Sequence, residues 1–127
     1  MNRQLQDVRV ECPRANAAVV EFTGEHDMAT ADRIQTLLVS LAEQNDVVVA
    51  DFSEAEFVDS SVLSALFRTH AAAERSGSSF RLQLGTAPIV KRAFEVSGIL
   101  SHLSCAESRE EALNGGRPAT SPQVSDA

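Results

Sequence analysis

The stretch with the most chemistry in it is FVDSSVLSALFRTH, residues 57–70. Asp59, Ser60 and Ser61 set a carboxylate and two hydroxyls in a row. They stand between a hydrophobic pair and an apolar run of helical spacing. Such a step fits two roles. Asp and Ser are good N-cap residues, so one of them can start the helix that follows. The same helix start offers unpaired N–H groups and the positive end of the helix dipole. A phosphate carried by Ser60 finds donors there. It brings a charge of about −1.5 to −2 to a surface that already holds Asp59.

Enzyme chemistry fits less well. A nucleophilic serine needs a base and an oxyanion site. No G-x-S-x-G elbow surrounds Ser60 or Ser61. His70 lies on the same helix as Ser60, roughly 15 Å further along its axis, too far to take its proton. His26, in the loop expected after the second strand, is placed to approach, but one His near one Ser is a weak pattern. The sequence has no C-x-x-C, no H-x-x-x-H and neither glycine-rich nucleotide loop. No catalytic residue, metal or cofactor is expected. Cys12 and Cys105 are far apart, and each reads as a small buried hydrophobe.

The elements that position the step follow from periodicity. Val8, Val10 and Cys12 alternate with Arg9 and Glu11, as in a strand. PRAN (13–16) supplies turn residues, and AAVVEFTG (17–24) reads as a second strand, so a hairpin is expected. Thr30 can cap a helix carrying Ile34, Leu37, Leu38 and Leu41 on one face, ending near Gln44 and Asn45. VVVADF (47–52) is a continuous apolar run, typical of a strand buried on both faces. The second helix carries Val62, Leu63, Leu66, Phe67 and His70 on one side and ends before SGSS (76–79). FRLQLG (80–85) alternates as another strand. TAPIVKRAFEVSG (86–98) is a helix, with Pro88 in its first turn and Gly98 at its stop. HLSCA suggests a short edge strand, and ESREEALN (107–114) a last helix. The Gly-, Pro- and Ser-rich tail over 115–127 is expected to be disordered. The order β-β-α-β-α-β-α-(β)-α implies an α/β layer fold with parallel strand pairs and right-handed crossovers.

Composition bounds the function. A chain of 127 residues, 43% hydrophobic, is expected to form one domain. Phe is its only aromatic residue, so the core rests on Val, Leu, Ile and Ala. The net charge of −7 argues against nonspecific binding to nucleic acid or anionic membranes. The start, MNRQLQDVRV, has no apolar signal core. No run approaches the ~20 apolar residues of a membrane span. A cytoplasmic protein is expected.

Three motifs, in order and in matching strand–helix context, resemble those of STAS domains. VEFTGEHDMATADRIQTLL (20–38) resembles the loop after the second strand. VVVADFSEAEFVDSSVLSALFRTHAAAERSGSSFRL (47–82) resembles the signature strand, loop, D-S-S-G-L step and helix. PIVKRAFEVSGIL (88–100) resembles the third-helix motif. The resemblance covers roughly residues 5 to 113 and implies a STAS-type mixed β-sheet flanked by α-helices. A STAS domain over 1–114 and a tail over 115–127 are expected.

The single-domain form of the family is the anti-sigma factor antagonist. The resemblance implies a partner that is both anti-sigma factor and serine kinase, of the histidine-kinase-like ATPase type. The antagonist displaces the sigma factor from it. Phosphorylation of the serine after the motif aspartate switches the antagonist off, and a metal-dependent serine phosphatase restores it. Carried onto this sequence, the phosphoacceptor is Ser60, with Ser61 the weaker candidate. Gly24, Glu25 and Asp27 match the first loop, and Asp59 the motif aspartate. The partner surface is expected to include these residues with Ser60, Ser61, Val62, Ser64 and Arg68. Val62 departs from the pattern, where the family usually has Gly, and a stiff β-branched residue there bears on how a kinase docks. Other roles of the family are a binding subunit of a lipid-transport ABC system and a part of a stress-signalling complex.

Overall fold

A computed structural model of the chain describes residues 7–85 and 87–114. Its elements run β1 (Val8–Arg14), β2 (Ala17–His26), α1 (Met28–Gln44), β3 (Val47–Val58), α2 (Ser60–Ser76) and β4 (Ser79–Gln83). After these come α3 (Pro88–Ser97), a 3-10 turn (Ile99–Ser101), β5 (Ser104–Ala106) and α4 (Arg109–Leu113). The five strands form one sheet in the order β1-β2-β3-β4-β5. β1 is antiparallel to β2, and every other pair is parallel. This is the expected mixed sheet, with β5 present.

The hairpin closes at Arg14 and Ala17, around Ala15 and Asn16. Asn16 takes φ 64°, a left-handed conformation that Asn tolerates better than most residues. Pro13 is accommodated because β1 is an edge strand. That position also corrects the expectation for Cys12, which is exposed, while Cys105 is half-buried.

The sheet has two unlike faces. Val20, Phe22, Val48, Ala50, Phe52, Phe80 and Leu82 pack in one core with residues of α1, α2 and α3. Phe22 stacks on Phe52 with ring centroids 4.5 Å apart, and Phe94 of α3 meets Phe52 edge-on at 5.3 Å. On the other face Val19, Val49 and Ala106 are covered by Ala112 of α4. β3 therefore buries both faces, as its apolar run required.

Three boundaries that bear on the site differ from expectation. β3 continues six residues past Phe52, to Val58, and β2 reaches His26. The two strands sustain each other through Thr23↔Glu54, Gly24↔Ala55, Glu25↔Phe57 and His26↔Val58, with register shifts on the way. Helix α1 starts at Met28, earlier than Thr30 suggested. Asp27 is its cap, and the Thr30 hydroxyl bonds back to the Asp27 carbonyl. Among the described residues no helix is long and apolar enough to cross a membrane. The tail expected over 115–127 lies outside the described residues.

Candidate functional site

Parallel pairing brings the site together. β2 and β3 end side by side, at His26 and Val58. The Asp59 N–H then donates to the His26 carbonyl at 3.3 Å. The next residue of each chain segment is an aspartate, and each caps a helix. Asp27 Oδ1 accepts from the Ala29 N–H at 2.9 Å. Asp59 Oδ1 accepts from Ser61 and Val62 at 2.9 and 3.3 Å. Two helix N-termini thus start next to each other, each with a carboxylate on its free N–H groups.

Ser60 is the first residue of α2 and is exposed. Ser61 is half-buried, with its N–H taken by Asp59. Ser64 and Arg68 are exposed one and two turns further along the same stripe. Arg68 Nε donates to Gln35 Oε1 at 2.6 Å, so it also ties α2 to α1. Gly24 and Glu25 lie on the paired ends of β2. Gly24 takes φ 71°, which glycine adopts without strain, at the point where the register shifts.

One expected contact residue is corrected. Val62 is fully buried in the core beneath α2, so its side chain is not available to a partner. Its departure from the family's usual Gly is taken up by packing inside the domain.

His26 is not in the loop but is the last residue of β2, and it is buried. Its Nε2 lies 2.9 Å from the Thr23 carbonyl. A carbonyl only accepts, so Nε2 carries the proton. The ring stands edge-on to Phe22. Nδ1 is buried with no hydrogen-bond partner. The imidazole is thus engaged with Thr23 and the core. Among the described residues no group of His, Cys, Asp and Glu is placed to hold a metal ion.

Two residues that sequence reasoning passed over belong to this end of the sheet. Met28, the first residue of α1, is 75% exposed, and Phe57, two residues before Asp59, is 38% exposed. The signal was present: Met28 falls outside the stripe of Ile34 and Leu38, and Phe57 follows the exposed Glu54 and Glu56. The two segments that build the junction, 23–32 and 54–62, carry Glu25, Asp27, Asp32, Glu54, Glu56 and Asp59 and neither Lys nor Arg. The arrangement presents a hydroxyl on an acidic, partly apolar surface. It suits recognition and modification by another protein.

The STAS domain family model matches residues 9–112. Among solved structures, SpoIIAA of Bacillus in its unphosphorylated form, an anti-sigma factor antagonist, superposes with a TM-score of 0.71 at 20% identity. The match covers 84% of this chain and 93% of that one. An anti-sigma factor antagonist from Mycobacterium paratuberculosis gives 0.70 at 23% identity, covering 86% and 92%. A sulfate transporter family protein from Wolinella succinogenes gives 0.68 at 19%, covering 82% and 87%. The five-stranded sheet, the helices on its two faces and a family match over most of the sequence agree: the chain belongs to the STAS domain family.

Proposed function

We propose that the chain is an anti-sigma factor antagonist working by partner switching, with Ser60 as its phosphorylation site. The observation that carries this is the placement of Ser60. It is exposed at the first position of α2, directly after the capping Asp59 and beside the Asp27 loop. The partner is an anti-sigma factor with a serine kinase domain of the histidine-kinase-like ATPase type, and a serine phosphatase reverses the modification. Unphosphorylated, the chain docks through the Asp27 loop and the outer stripe of α2, including Ser60, Ser64 and Arg68. It thereby frees a sigma factor to direct transcription in the cytoplasm. Phosphate on Ser60 adds charge beside Asp59 and weakens docking. The chain itself performs no catalysis. The STAS unit spans 1–114, and 115–127 form a tail outside it.

The test is a quantitative pull-down from the native cell extract with wild type, Ser60→Ala and Ser60→Asp as baits. Wild type and Ser60→Ala are expected to retain an ATPase-type anti-sigma factor. Ser60→Asp is expected to bind it over a hundredfold more weakly, a loss of about 3 kcal/mol. Equal retention by all three removes the switch. Similarity to a sulfate transporter family protein supports a second reading, a constitutive binding module. That reading is favoured if all three baits retain the same membrane-transport component.

A further inference from the structure

The charge at the Ser60 junction and its exposed apolar side chains pull in different directions. Segments 23–32 and 54–62 hold six acidic residues and no basic one. A partner that closes on this surface gains most if its own rim is basic. A basic partner does not repel a phosphate. Repulsion from the partner is therefore a poor explanation of a switch at Ser60, and another is needed.

Met28 and Phe57 supply it. Asp27 and Asp59 are neighbours through the bond from Asp59 N–H to the His26 carbonyl. Met28 follows Asp27, Ser60 follows Asp59, and Phe57 precedes Asp59 by two. The hydroxyl thus stands at a junction bearing two exposed large apolar side chains. Met and Phe are enriched in the dry centres of protein interfaces, where charge is depleted. Acidic Glu25, Glu54 and Glu56, close to them along the chain, are exposed, as a polar rim requires.

We propose that Met28 and Phe57 form the apolar centre of the docking surface around Ser60. The partner meets them with an apolar patch bordered by basic side chains. A phosphate on Ser60 prevents docking because the apolar centre would strip its water, while the nearest α2 N–H groups, those of Ser61 and Val62, are already held by Asp59. This rests on the partner-switch reading and adds to it the chemistry of the partner surface and the physical cause of the switch.

The experiment measures the affinity of the anti-sigma ATPase recovered with the wild-type chain, purified, at low and high salt. Met28→Gln and Phe57→Gln are each expected to weaken binding at least tenfold. Val96→Gln, an exposed apolar residue at the far end of α3, is expected to leave it unchanged. Circular dichroism checks that each variant remains folded. Wild-type affinity should fall as salt rises, because the rim attraction is screened. The Ser60-phosphorylated chain should stay weak at every salt concentration. Recovery of the phosphorylated chain in high salt to within a few fold of wild type would show repulsion and overturn the desolvation account. If Met28→Gln and Phe57→Gln bind like wild type while Ser60→Asp does not, the apolar centre is wrong and the partner switch stands. If phosphorylation leaves affinity unchanged, the partner-switch reading itself fails.

Discussion

Asp59 has two tasks that substitutions can separate. Its carboxylate holds the Ser61 and Val62 N–H groups and adds charge beside Ser60. Asp59→Ala removes both and is expected to lower unfolding stability by about 1 kcal/mol, the usual worth of an N-cap. Asp59→Asn caps equally well, so chemical denaturation should find it within a few tenths of a kcal/mol of wild type. Gly85 is constrained by space. A Cβ there would come within 2.6 Å of the Phe52 carbonyl oxygen, with the backbone of Ser53 close behind. Gly85→Ala must push the segment between β4 and α3 off β3, and a lower midpoint in urea is the expected result. Single residues were unevenly legible. The Asp59–Ser60 step stood out in the sequence because a hydroxyl-rich cap precedes a clear helix. Thr30 reads as the cap of α1 in the sequence, but Asp27, also a capping type, takes that place. The choice was made by β2, whose pairing to His26 delivers the chain to α1 at residue 27.

At the scale of elements, α4 is the informative case. Five residues are too few for a helix to hold by itself. A helix was legible in ESREEALN, but its docking was not, because the docking comes from distant strands. Arg81 donates to the Ala112 carbonyl at 2.7 Å and Arg14 to the Leu113 carbonyl at 2.8 Å, so two guanidinium groups hold the helix's C-terminal end. Burial, then the charge of Arg14, lowers the Arg81 pKa, yet an arginine this basic stays charged. Arg109 pairs with Glu11 and Glu21. Burial alone lowers its pKa, but the hydrogen bond to Glu11 and the charges of Glu11, Glu21 and Asp51 outweigh that and raise it. Arg109→Ala should therefore loosen α4 selectively. Hydrogen exchange is expected to quicken in α4 and β5 and to stay unchanged in α2. The length of β3 was illegible for a related reason. Glu54 and Glu56 look like loop residues, and only the neighbouring strand β2 keeps them extended.

For the molecule as a whole, the alternation of strands and helices carried most of the architecture. A continuous apolar run for β3 and amphipathic helices on either side leave few other arrangements. What patterning did not show is the division of labour between faces, three helices over one and a single short helix over the other. The aromatic cluster of the larger core is the point of greatest sensitivity. Phe52 and Phe94 are fully buried. Phe94→Ala is expected to cost about 3–5 kcal/mol in denaturant unfolding. That is a large part of the ~5–15 kcal/mol typical of a domain.

The sheet has its strands in the order in which they occur along the chain. Each new strand can therefore add to an edge that already exists, and every strand pairing joins neighbours in sequence. A chain emerging from a ribosome can assemble the sheet as it appears. The last helix breaks this progression. Arg109 returns to Glu11 across 98 positions, and Arg14 reaches Leu113 across 99. These links join the first strand to α4, and they cannot form until synthesis has passed residues 109 and 113 respectively. The back of the sheet is thus finished last: until α4 docks, Val19 and Val49 lack the cover that Ala112 gives them.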